Sequence, residues 1–168
     1  MKTKWIVSIV VVLVLALSVT MTVWAQTAGE SQSCDGDANT CDTGTGNVTW
    51  QQGAGTGVQR GQVSPVTILD LDDLGGIGNS TPPTGLNFLS EGVTFNLFGS
   101  AGPLSYFPVP VLICFPDPGA GAIRFWTGDP TRPDGGWQIF PTFSGGLVGH
   151  SGEICTYTNV PGTFTVIG

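Results

Sequence analysis

The chain is 168 residues long, with 26 glycines, 12 prolines, only 10% charged residues and a formal net charge of −7. Glycine and proline at this density break up long helices, and so few charges exclude a charge-stabilised disordered polymer. What is left is a chain of short strands joined by many turns.

Lys2 and Lys4 open the sequence, an apolar run from Ile6 to Val19 is broken only by Ser8 and Ser18, and Val23-Trp24-Ala25 sets a small residue at a cleavage edge. This pattern reads residues 1–25 as a secretion signal, with Gln26 as the mature start. The apolar run is shorter than the ~20 residues that cross a bilayer, and Thr20 and Thr22 weaken its far end. No membrane insertion is therefore expected after cleavage, and the expected location is secreted, either extracellular or at the cell surface. Cleavage removes both lysines and leaves three arginines against 12 acidic residues, a formal charge of −9. Such an acidic surface has no clustered cations to displace counterions, so neither nucleic acid nor anionic membrane is an expected partner.

Residues 26–62 are rich in Gly, Thr, Ser, Asn and Gln, with Trp50 as their one aromatic, which predicts a disordered tail. From Val63 onward the texture changes. Strands are predicted over Val66–Leu71, Val93–Phe98, Val109–Phe115, Ala122–Thr127, Trp137–Phe140, Glu153–Tyr157 and Thr163–Ile167. Pro108 and Pro110 place the start of the third at a sheet edge. Pro82 to Asn87 is too broken to assign. Seven short strands with turn signals between them indicate an all-β, antiparallel immunoglobulin-like β-sandwich over residues 63–168.

Four cysteines allow three pairings, and export makes disulfides the expected state. Cys34–Cys41 and Cys114–Cys155 are favoured, the first as a local turn in the tail. The second joins two strands far apart in sequence, through the core. A metal site is the rival reading of clustered cysteines, but it needs CxxC-type spacing or histidine neighbours, and His150 is the sole histidine.

The ending from Glu153 to Ile167, taken with Arg124-Phe125-Trp126 and Gly136-Trp137, resembles two β-domain families. These are the GAIN domain of adhesion receptors and the ZU-type and UPA-type modules of ankyrins and death-domain proteins. In both, a run of this kind makes the closing hairpin of an antiparallel sheet. Trp126, Trp137, Cys155, Thr163 and Phe164 occupy comparable places here, over about 45 residues. Members of those families can cleave themselves between the last two strands, a step that needs a hydroxyl nucleophile and a base. The matching positions, Asn159, Val160 and Pro161, offer no nucleophile, so the resemblance implies a fold and not an activity.

Other motifs carry weaker chemistry. Asp35, Asp37 and Asn39 place side-chain oxygens at alternating positions, as a calcium loop begins, but Thr40 stands where the sharp-turn glycine belongs and no glutamate closes the loop. Trp126, Trp137 and Tyr157 are candidates for a sugar-stacking platform, against the usual role of strand aromatics in a core. His150-Ser151, flanked by Gly149 and Gly152, reads as an exposed turn and not as part of a triad. Asp70, Asp72 and Asp73 read as a solvated strand end. Asn47-Val48-Thr49 and Asn79-Ser80-Thr81 match the glycosylation acceptor, which has meaning only in a host that glycosylates this way.

With no paired carboxylates, nucleophile–base pair or metal set, no enzyme is expected, and no cofactor beyond the calcium option. The expected function is an exported, non-catalytic module with a structural or adhesive role at the cell surface or in the medium, its partner a surface protein or a polysaccharide. The alternative is a carbohydrate-binding module that uses exposed aromatics.

Overall fold

A computed structural model describes residues 33–168, apart from Asp37, Ile77 and 145–148. The expected secretion signal, residues 1–25, and the start of the expected tail lie outside the described residues. No helix among the described residues is long and apolar enough to cross a membrane.

Among the described residues, twelve strands and one short helix follow one another: β1 Cys34–Gly36, β2 Thr40–Asp42, β3 Asn47–Thr49, β4 Arg60–Val66, α1 Ile68–Asp72, β5 Gly92–Gly99, β6 Gly102–Pro103, β7 Val111–Pro116, β8 Ala122–Trp126, β9 Trp137–Ile139, β10 Phe143–Ser144, β11 Glu153–Thr158 and β12 Gly162–Ile167. They form two antiparallel sheets. One has seven strands in the order β1-β4-β5-β12-β8-β9, with β6 paired to β5, and the other has five in the order β10-β11-β7-β3-β2.

The core follows from the two-residue period of a strand. Val63, Val93, Phe95, Leu97, Ile123, Phe164 and Val166 from the seven-stranded sheet meet Val48, Val111, Ile113, Phe115 and Ile154 from the five-stranded one in a single buried cluster. Phe95, Phe125, Phe140 and Phe164 meet within it at ring-centroid distances of 5.0–5.8 Å. A second buried cluster of Leu71, Trp137 and Ile167, with Val66, Leu86, Phe88 and Trp126 packed on it, draws on α1, the segment after it, and the alternate residues of the seven-stranded sheet.

Four expectations are corrected here. First, residues 33–62 are not a tail: they supply β1, β2, β3 and the start of β4, and place strands in both sheets. Cys41, Val48 and Trp50 are buried in the core cluster, so the sandwich starts at β1 and not at Val63. Polar composition hid this, because each of the first three strands has three residues and needs only one inward apolar side chain.

Second, Val66–Leu71 is not one strand. β4 ends at Val66, and α1 begins where the Thr67 side chain accepts a hydrogen bond from the Asp70 amide at 3.2 Å, while its hydroxyl donates to the Asp70 carboxylate at 2.7 Å. A Thr-x-x-Asp cap fixes a helical start that outweighs the apparent alternation. Third, β7 is interior, paired to β11 on one side and to β3 on the other. Pro108 and Pro110 precede its first residue, so neither removes a donor from the ladder.

The fourth concerns the end of the chain. β11 and β12 lie in opposite sheets, so the chain crosses the sandwich between them and does not close a hairpin.

Candidate functional site

The two disulfides have exchanged their expected roles. Cys34–Cys41 and Cys114–Cys155 are the pairs formed. Cys34 is in β1 of the seven-stranded sheet and Cys41 in β2 of the five-stranded one, so the bridge over the shorter loop ties the two sheets together at one edge. Cys114 and Cys155 are directly opposed on neighbouring strands β7 and β11, with Cα atoms 4.1 Å apart, so the bridge over the longer loop staples a single sheet. It does not cross the core. Ile113, Phe115 and Ile154 turn inward, and the alternation sends Cys114 and Cys155 to the outward face, where both are buried all the same.

That outward face is the candidate site, and register places its residues in rows. Tyr157 of β11 stands opposite Leu112 of β7, which stands opposite Thr49 of β3 and then Thr40 of β2. In the next row Phe143 of β10 pairs with Cys155, Cys155 with Cys114, and Cys114 with Asn47. Tyr157 is 50% exposed and stacks on Phe143, with ring centroids 5.5 Å apart and planes 28° from parallel. At the other end Thr40 and Thr49 direct their hydroxyls at Asn47 Oδ1, at 3.3 and 3.4 Å, and lie 3.1 Å from each other. Flat aromatic surface beside fixed hydroxyl and amide groups suits a ligand with apolar faces and polar edges, as sugars and extended peptides have.

Beyond this row, Glu153 starts β11 on the same face as Cys155, and His150 Nδ1 contacts the Glu153 carboxylate. Donor atoms of Cys114, His150, Glu153 and Cys155 all lie within 4.8 Å of one another. His150 is thus a half-buried residue over the disulfide, not an exposed turn histidine.

The remaining candidates are dispersed. Trp137 is fully buried and its indole donates to the Ser80 carbonyl at 2.5 Å, so it cannot stack a ligand. Trp126 packs on Trp137 at 5.4 Å, on the opposite sheet from Tyr157. Trp50 belongs to the core cluster. Asp35 lies 3.6 Å from Arg60, Asn39 is exposed and Asp37 lies outside the described residues.

Asp70 is engaged by the Thr67 cap of α1, and Asp73 accepts from the Gly78 amide at 2.9 Å. Of the two acceptor motifs, Asn79 sits in an exposed turn and Asn47 in an interior strand. Near the Trp126–Trp137 pair, Arg124 is buried and donates to the Trp137 carbonyl at 3.2 Å. Burial pushes its pKa down, and the Asp134 charge opposes the shift. Asp134 itself is held below the usual carboxylate range, first by hydrogen bonding from Arg132.

Phe143 and Leu112 were not singled out from sequence. The Cys155–Tyr157 spacing held a usable signal, because residues two apart on a strand share a face. Comparison with protein-family models, curated proteins and solved structures finds no match for this chain. The two disulfides fit an oxidising, extracellular setting.

Proposed function

We propose that this chain is an exported, non-catalytic module of immunoglobulin-like architecture, and that it adheres at the cell surface or in the medium through the outward face of its five-stranded sheet. The observation that carries the reading is the half-exposed Tyr157 stacked on Phe143 beside the Thr40–Asn47–Thr49 cluster. An exposed aromatic pair on a face braced by a disulfide presents a rigid surface, and binding to it loses little side-chain entropy. The architecture departs from the antibody pattern in one respect, since the bridge over the longer loop lies within a sheet instead of between sheets. The likeness of the last 45 or so residues to GAIN-, ZU- and UPA-type domains accompanies this reading as a likeness of sequence pattern, without the closing hairpin and without self-cleavage. His150 precedes β11 and Asn159 follows it, and a six-residue strand at ~3.3 Å per residue keeps the sole histidine away from the turn where those families cut.

A polysaccharide is the second reading of the partner, favoured by the same stacked pair, since aromatic faces bind sugar rings. Labelled mature protein applied to the producing cells should be retained saturably, and Tyr157→Ala should release it without changing its melting temperature. Equal retention of both proteins, or none of either, would overturn the adhesive reading. Competition by a soluble polysaccharide would assign the partner to the second reading.

A further inference from the structure

We propose that the Cys114–Cys155 bridge covers a latent zinc site, which opens when the disulfide is reduced and is completed by His150 and Glu153. Two sulfurs, one imidazole nitrogen and one carboxylate oxygen lie within 4.8 Å of one another. This is a four-donor set of the kind zinc takes, with ordinary bonds of ~2.0–2.3 Å and hence ligand-to-ligand edges of roughly 3.3–3.8 Å. The arrangement is built into the sheet. Cys114 and Cys155 are opposed in register, Glu153 reaches the same face two residues before Cys155, and the turn that leads into β11 brings His150 over them, its carbonyl accepting from the Glu153 amide at 3.3 Å. Neither His150 nor Glu153 is needed there to hold the β7–β11 ladder, whose pairing is made by backbone groups.

The chemistry balances with an external thiol reductant, and reduction must come first because a disulfide sulfur is a poor metal ligand. A dithiol gives two electrons and two protons to the Cys114–Cys155 bond, which becomes two thiols while the dithiol becomes a disulfide. A zinc ion then displaces the two thiol protons and binds both thiolates, an imidazole nitrogen and the Glu153 carboxylate. The oxidised protein is stapled by a covalent bond and the reduced protein by a metal at the same point of the same sheet. Oxidation would release the ion.

The test uses the mature protein, reduced to completion with a metal-free phosphine and titrated without oxygen with cobalt(II), a visible substitute for zinc. The reduced protein should show thiolate-to-cobalt absorption with tetrahedral ligand-field bands that zinc abolishes, and the oxidised protein should show none. His150→Ala should weaken cobalt binding by at least about tenfold and alter the bands. Absence of the bands in the reduced protein, or unchanged affinity in His150→Ala, would overturn the site. If reduction unfolds the chain, zinc should restore its β-sheet circular dichroism, and failure to do so would overturn it as well.

Discussion

Trp137 and Tyr157 are both strand aromatics, yet only the tyrosine meets solvent. Trp137 is buried between the seven-stranded sheet and the segment after α1, touching Phe88 edge-on at 5.5 Å and Trp126 at 5.4 Å. Trp137→Ala should destabilise by ~3–5 kcal/mol in denaturant unfolding, through lost packing and a cavity. Tyr157→Ala should stay within about 1 kcal/mol of the parent by the same measurement, since half of its surface already faces water. A charge offers a third contrast. Arg132 holds Asp134 through paired hydrogen bonds at 3.1 and 3.0 Å and depresses its pKa. A carboxylate with a lowered folded pKa adds stability that is fully present at neutral pH and lost as pH falls through that value. Asp134→Asn should therefore flatten the acid limb of a melting-temperature profile and leave its alkaline limb alone. The effect should be small, because both partners are partly open to solvent, which screens the pair.

At the scale of elements, legibility depended on length and on apolar content, the three-residue β9 being marked by Trp137 and Ile139. β5, β7, β8, β11 and β12 have five to eight residues and were all marked by runs of β-branched and aromatic residues. β1, β2 and β3 have three residues each, too few to show a period, and their flanks are glycine, threonine and aspartate. β4 was hidden differently. Its inward positions include Gly61, which reads from sequence as a linker residue. In the fold that glycine is where Trp50 lies, and a Cβ there would collide with Trp50 Cζ2 and Cε2. The tryptophan that the sequence left in a tail is thus the partner that requires glycine in β4. Gly61→Ala should destabilise by roughly 1–3 kcal/mol, the usual range for overpacking, and Trp50 fluorescence should shift as the indole is displaced. The disulfide pairing was legible and its geometry was not, because pairing followed from the separation of a close pair from a distant one along the chain, whereas geometry depends on which strands are neighbours. The outward face was half legible for the same reason: Tyr157 was marked by its own chemistry, but Phe143 and Leu112 join it only through register.

For the whole molecule, the first thirty described residues decide whether there is a sandwich at all. β2 and β3 are the outer strands of one sheet beside β7, β1 and β4 those of the other beside β5, and Cys34–Cys41 links the two sheets at that edge. Closing so short a loop removes about 2–3 kcal/mol of chain entropy from the unfolded state, compared with about 4 kcal/mol for Cys114–Cys155. The clamp over the shorter loop is thus the weaker in entropy, although it alone holds sheet to sheet. A chain starting at Val63 would lose that clamp together with β1, β2 and β3. Ile113 would lose Val48, its partner across β3. The core would lose Cys41, Val48, Trp50 and Val58, all buried in its main cluster. Each large side chain removed from a core costs ~2–5 kcal/mol, and a domain of this size has only ~5–15 kcal/mol in total. Two newly bared strand edges, on what remains of β4 once β1 is gone and on β7 once β3 is gone, would also be open to pairing with other chains. The shortened chain should therefore show no cooperative melting transition and should elute as aggregate on gel filtration. A monomer that melts at the temperature of a chain starting at Gln26 would mean that the sandwich is complete without its first strands.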